Sequence, residues 1–165
     1  MAALKSHRAI PGIDLAIPGR RRPLRIKYAV IDFNGTLATD GNLIRGVTTR
    51  LKKLARTLQV VVMTADTFGT ARRALAALPV SVRIVHGGVE KLRFVESVDG
   101  ASVAAIGNGV NDVPMLQAAA LGIAIIGDEG ASGELLGVAH IVVRNINDAL
   151  DLLLHPKRVV ATLRK

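Results

Sequence analysis

Asp32 closes an apolar run, Tyr28-Ala29-Val30-Ile31, and is followed by Phe33, Asn34, Gly35 and Thr36. A carboxylate at the C-terminal end of a buried parallel strand can attack phosphorus in line and carry the phosphoryl group as an aspartyl-phosphate. A glycine close behind it lets the backbone approach a phosphate. Asn34, two residues after Asp32, cannot shuttle a proton, so the same segment raises a question of rate. Thr64 and Asn108 also stand just after short apolar runs, 60–63 and 103–106. Each has an ordinary alternative. A Thr or Asp in such a place often caps the next helix, and Asp112 before Pro114 fits a helix start.

The hydrophobic pattern predicts the elements that must position these residues. Ile13, Leu15 and Ile17 alternate with other residues, Pro18-Gly19 marks a turn, and Leu24 and Ile26 resume the alternation. A β-hairpin is expected there, with Arg20, Arg21 and Arg22 in or beside its turn, feeding a first core strand over 28–31. Asp40-Gly41 between apolar residues predicts a second, small hairpin. Further strands are expected over 60–63, 82–85, 103–106, 123–126 and 141–143. Helices are expected over 46–58, 68–78, 89–98, 114–120 and 146–154, with another after Pro156. Short apolar strands alternating with helices predict an α/β fold, a doubly wound, Rossmann-like parallel sheet in three α/β/α layers. Ligands of such sheets bind at the C-terminal strand ends, where the strand order reverses.

The chain has 165 residues, half of them apolar but only four aromatic, which suits one domain with a Val, Ile, Leu and Ala core. We divide it into a basic segment with the hairpin, 1–27, and a catalytic domain, 28–165. The absence of cysteine excludes disulfides, thiol catalysis and Cys-ligated zinc. His7, His86, His140 and His155 lack metal-ligand spacing. The longest uncharged apolar stretch, 113–127, is fifteen residues interrupted by Pro114 and Gly122, too short for a membrane span. A cytoplasmic protein with no membrane partner is expected. The net charge of +9 is uneven: residues 1–27 hold seven Lys or Arg against one Asp, and 157–165 hold four more with no acid. Such basic ends admit a nucleic acid or other polyanion as partner; a solvated, solubilising tail is the ordinary alternative.

The motifs together resemble the haloacid dehalogenase-like (HAD) superfamily, and within it the phosphorylation domain of P-type ATPases. Asp32, Gly35 and Thr36 match the pump signature Asp-Lys-Thr-Gly-Thr. Thr64, Asp66, Thr70 and Ala71 match a second, and the segment Gly107 to Leu116 keeps all of Gly-Asp-Gly-x-Asn-Asp-x-Pro-x-Leu but the first Asp. Lys91 stands at the expected place before the fourth core strand. The resemblance covers about residues 28–145. It implies catalytic roles for Asp32, Asn34, Thr64 and Lys91, and a phosphate held near Phe33, Gly35, Thr36 and Ala65. It implies Mg²⁺ held by Asp32, the Asn34 carbonyl and Asn108, with Asp112 close behind.

Two departures matter. Hydrolases of this family carry Asp where Asn34 stands, and the Gly-Asp-Gly-x-Asn-Asp motif carries Asp where Asn108 stands. Both differences remove charge from one metal site, so weak Mg²⁺ binding and slow turnover are expected. Asp40 and Asp66 are the acids near strand ends that could replace them, Asp66 fitting a helix cap better. Thr64 follows Thr36 by only 28 positions and Asn108 follows Lys91 by 17, too few for an inserted cap or nucleotide domain. A small phosphorylated substrate is expected, and a homo-oligomer would cover the open site. The reading is a slow, Mg²⁺-dependent phosphohydrolase or phosphotransferase; the alternative is a catalytically degenerate member that binds phosphate or a partner.

Overall fold

The computed structural model describes residues 10–66 and 69–165. The first hairpin is β1 (Ile13–Leu15) against β2 (Leu24–Ile26), antiparallel, with Arg20 to Arg22 in the connection. Strand β3 (Tyr28–Asp32) follows at once, then the small hairpin of β4 (Ala38–Thr39) and β5 (Asn42–Leu43). Asp40 and Gly41 at its tip both have positive φ, 50° and 78°, as a tight two-residue turn requires.

The chain then alternates. It runs through α1 (Val47–Leu54), β6 (Gln59–Thr64), α2 (Thr70–Leu75), β7 (Ser81–Ile84), α3 (Gly88–Ser97) and β8 (Val103–Gly107). It continues through a 3₁₀ turn at Val110–Asp112 into α4 (Val113–Ala118), then β9 (Leu121–Ile125), α5 (Gly133–Val138), β10 (Ile141–Val143), α6 (Ile146–Leu154) and α7 (Pro156–Leu163). Six strands form one parallel sheet in the order β10-β9-β8-β3-β6-β7. From β3 the chain builds outward through β6 and β7, then returns to lay β8 on the other side of β3. The order therefore reverses between β3 and β8, and a crevice opens at their C-terminal ends.

Alternation along each strand divides the core in two. Ala29, Ile31, Val60, Val62, Ala104 and Ile106 face a cluster with Leu51, Leu75, Leu150 and Val159 from α1, α2, α6 and α7. Val30, Val61, Met63, Val103 and Ala105 face Val95, Met115, Leu116 and Leu135 from α3, α4 and α5. The three layers and the absence of a cap match the expected fold. No inserted domain interrupts the described residues: β3 leads to α1 only through the β4–β5 hairpin, and α3 leads to β8 through a short turn. No described helix is long and apolar enough to cross a membrane.

Three details differ from the sequence reading. The helix expected over 68–78 is α2, Thr70–Leu75; its expected first residue lies outside the described residues, and a turn with Leu78 N–H donating to Leu75 O closes its end. The helix expected over 46–58 stops at Leu54 for the same reason, a tightening of its last turn. Helix α5 is absent from the expected elements. Its two glycines, Gly133 and Gly137, each weaken a helix by about 1 kcal/mol relative to Ala and mask it. The legible signal is Ser132, whose hydroxyl caps the Leu135 amide.

The first hairpin is not a loose appendage. Ile13, Leu15, Ile17 and Ile26 belong to the same buried cluster as the sheet. Against it packs α7, so the two basic ends meet, and a side chain on Gly19 would lie 3.5 Å from Lys165 Cβ. Leu15 is 1% exposed. Its replacement by Ala is expected to cost about 2–5 kcal/mol in urea unfolding, the usual range for a buried Leu. A loss well below that range would place the hairpin outside the cooperative core.

Candidate active site

Asp32 ends β3, at the point where the strand order reverses, and is 6% exposed. Lys91 lies in the first turn of α3 and is 1% exposed. Asp112 ends the 3₁₀ turn after β8 and is fully buried. The Lys91 ammonium donates to Asp32 Oδ1 and to Asp112 Oδ1, each at 2.6 Å. Asp112 Oδ2 in turn accepts the backbone amides of Asn108 and Gly109 at 3.1 and 3.0 Å. One cation thus joins two loops that are far apart in sequence.

Two carboxylates share that single ammonium, and the protonation energetics follow. Burial first, and then the neighbouring Asp112, push Asp32 from its ordinary 3.8 up to about 6, although Lys91 and Thr36 pull it back. Burial works against the Lys91 charge, but Asp32 and Asp112 outweigh it and hold the ammonium above its usual value. Asp32 is therefore a partly desolvated carboxylate, ionised above about pH 6.

The remaining expected site residues gather around Asp32. Thr36 Oγ lies 3.2 Å from Asp32 Oδ2 and 3.2 Å from Asn108 Oδ1. The hydroxyl has one proton for these two oxygens, so one oxygen pair is left facing without it. Asn108 Nδ2 donates to the Gly130 carbonyl at 3.1 Å, which fixes the amide with its oxygen toward Thr36. Asp32 Oδ2, the Thr36 hydroxyl and Asn108 Oδ1 together are oxygen groups of the kind a hard divalent cation takes. Among the described residues no three His, Cys, Asp or Glu side chains converge as a metal cluster. A cation here would rest on amide and carbonyl oxygens to an unusual degree.

Thr64 ends β6 and is 1% exposed; its hydroxyl accepts from Asn34 Nδ2 at 3.5 Å and from the Asp66 amide at 3.2 Å. Ala65 lies beside it and is exposed. Phe33 spends its side chain on the core, so only its backbone can face a phosphate. The amides of Gly35 and Thr36 donate to Ala38 O and Phe33 O within the turn. Of that pair, the Thr36 hydroxyl is the group that faces Asp32. Asp66 caps α2 through the Ala71 and Arg72 amides, and Asp40 sits at the exposed tip of the β4–β5 hairpin.

One acidic residue near the site escapes the sequence reading. Glu129 follows β9 in a bend between Gly127 and Gly130, both with positive φ. A side chain on Gly35 would meet Asn108 Nδ2 at 2.5 Å and Glu129 Oε2 at 2.8 Å, so both groups crowd the same edge of the crevice. Glu129 Oε1 accepts the Asp40 amide at 3.2 Å.

The family model of haloacid dehalogenase-like hydrolases matches residues 52–149, more than half of the chain. The chain belongs to this family. The matched HAD segment spans Thr64, Lys91 and the loop from Asn108 to Asp112, and begins downstream of Asp32. An uncharacterized protein of Methanocaldococcus jannaschii is 46% identical over 80 residues, covering 46% of this chain and 86% of that protein. Among solved structures, the cobalt-bound deoxy-D-mannose-octulosonate 8-phosphate phosphatase of Haemophilus influenzae superposes with a TM-score of 0.66 at 16% identity, covering 85% and 94% of the two chains. The Moraxella catarrhalis 3-deoxy-D-manno-octulosonate 8-phosphate phosphatase, solved with magnesium, phosphate and KDO, gives 0.63 at 15% identity, covering 84% and 94%. A zinc-transporting PIB-type ATPase gives 0.61 at 23% identity, covering 73% of this chain and 20% of the pump. These structural likenesses concern the HAD fold.

The shared ammonium yields a stability prediction. Lys91→Met leaves two buried carboxylates without their cation, and about 3–5 kcal/mol of stability should be lost at pH 7.5. Without Lys91, the pKa of Asp32 climbs further. A carboxyl raised in the folded state stabilises at low pH and loses that contribution as pH rises. The deficit of Lys91→Met relative to wild type should therefore shrink toward pH 5. Denaturant unfolding at the two pH values checks both the size and the direction.

Proposed function

We propose that this HAD protein is a Mg²⁺-dependent phosphohydrolase or phosphotransferase that forms an aspartyl-phosphate on Asp32. The observation that carries the reading is the desolvated Asp32 at the strand switch point, held by Lys91 on one oxygen and by Thr36 on the other. One carboxylate oxygen attacks phosphorus while the ester oxygen departs; water then splits the acyl phosphate, releasing phosphate and restoring the carboxylate. Lys91 neutralises charge that gathers on Asp32 and the phosphoryl oxygens. Thr64, buried at the next strand end, donates to a phosphoryl oxygen. A bound magnesium ion, which Asp32, the Asn34 carbonyl and Asn108 would hold, would supply positive charge to the phosphoryl group. The magnesium and phosphate in the Moraxella phosphatase support that choice of cation and ligand.

Asn34 sets the rate. It contacts the Thr64 hydroxyl at 3.5 Å but has no proton to exchange, so the leaving oxygen takes its proton from solvent. A positioned acid–base group is worth roughly 10²–10⁴ in rate. The proposed substrate is a small phosphate ester, and a homo-oligomer would shield the capless site. The basic face formed by the hairpin and the end of α7 offers a surface for a polyanion, separate from this chemistry.

A second reading, a binding module without chemistry, is favoured by the same Asn34 and Asn108. A screen of phosphorylated metabolites with and without Mg²⁺ separates the two. Slow, metal-dependent phosphate release is expected, absent in Asp32→Asn and raised about tenfold or more in Asn34→Asp. Release that survives Asp32→Asn would mean that Asp32 is not the nucleophile. An adduct of beryllofluoride on Asp32 is expected for a live site and not for a mere scaffold.

A further inference from the structure

We propose that Glu129 supplies, from the β9–α5 loop, negative charge that Asn34 and Asn108 leave out of the metal site. The inference rests on the Mg²⁺ part of the functional reading and extends it to a residue outside the motifs that carry the family resemblance. Three observations converge on it. First, Glu129 Oε2 and Asn108 Nδ2 lie 2.8 and 2.5 Å from the same point, the missing Cβ of Gly35. The carboxylate therefore stands at the Nδ2 end of the Asn108 amide, whose other end, Oδ1, faces Thr36 and Asp32.

Second, the loop is built to reach that place. Gly127 and Gly130 bracket the acid with φ of 58° and 77°, which side chains rarely tolerate. A side chain on Gly127 would press within 3.3 Å of the Gly35 carbonyl, so the loop lies directly on the turn that follows Asp32. The amide of Ser132 donates to the Asn108 carbonyl at 2.9 Å, and Asn108 Nδ2 donates to the Gly130 carbonyl. The loop and Asn108 form one hydrogen-bonded unit.

Third, the charge at the site is short. Asp32 and Asp112 both spend an oxygen on Lys91, and Asn108 brings none. Asp32, Asp112 and Glu129 do not converge as a metal cluster, so Glu129 would not be a direct ligand; it is a positioning residue whose charge would act on a bound cation from outside its ligands. Magnesium keeps several waters in such sites, and carboxylates that hold them are worth roughly 10–100-fold in affinity. Gly35 is the residue that leaves this approach open; with a side chain there, the carboxylate would be pushed away.

The test is Mg²⁺ titration of the full chain by calorimetry, with Mn²⁺ binding followed by electron paramagnetic resonance. Glu129→Gln keeps an acceptor for the Asp40 amide and removes only the charge. It should weaken binding about tenfold, while Glu129→Asp retains most of the affinity. Melting temperatures in EDTA should be the same for all three proteins. Equal affinity in Glu129→Gln and wild type would overturn the inference, and with Asp32→Asn still weakening binding, the functional reading would stand. A parallel fall of melting temperature in EDTA would reduce Glu129 to a structural latch and overturn it as well. A wild-type chain that binds no Mg²⁺ would overturn both.

Discussion

The site turns on one ammonium between two carboxylates. Lys91 holds the end of β3 through Asp32 and the turn after β8 through Asp112, and both bonds are short and buried. Among the side-chain hydrogen bonds of the described residues, no other joins those two loops to α3. The glycines around the triad follow from it. A side chain on Gly107 would meet Asp112 Cγ at 2.5 Å, and one on Gly88 would meet the Asn111 carbonyl at 2.6 Å. Backbone must close tightly around three charges that have left water, and only glycine permits it at these points. The raised pKa of Asp32 is the visible residue of that cost. Part of the folding energy is held as an under-neutralised carboxylate, in the place where a nucleophile is useful.

Much of this was legible in the residues. Apolar runs bounded by turn signals marked all six strands of the main sheet, and the Asp40-Gly41 pair marked its hairpin. Asp66 read as a helix cap and is one. The polar residues at strand ends came together because a parallel sheet gathers its C-terminal ends on one side. Helix α5 was hidden because its glycines contradict local propensity, and packing of Leu135 overrides them. Glu129 was hidden for a different reason. Its position depends on loop geometry set by two left-handed glycines, and on the absence of a side chain at Gly35, ninety-four residues away in sequence. No periodicity reports a contact of that kind.

The sheet superposes on phosphatases and on a pump domain alike. Around Asp32 in this chain, positions 34 and 108 are amides, and an acid beside Asn108 comes from another loop. Neutral groups at 34 and 108 lower the cost of packing Asp32 and Asp112 around a single cation.

The bond from Asn108 Nδ2 to the Gly130 carbonyl decides which side chains position 108 can hold. An aspartate at 108 has no proton for that carbonyl, and an ionised oxygen there would stand 3.1 Å from another oxygen with Glu129 alongside. An acid at position 108 is thereby penalised by the loop that accommodates the amide. The 127–130 bend and the amide at 108 are coupled, and a change in either one limits what the other can become.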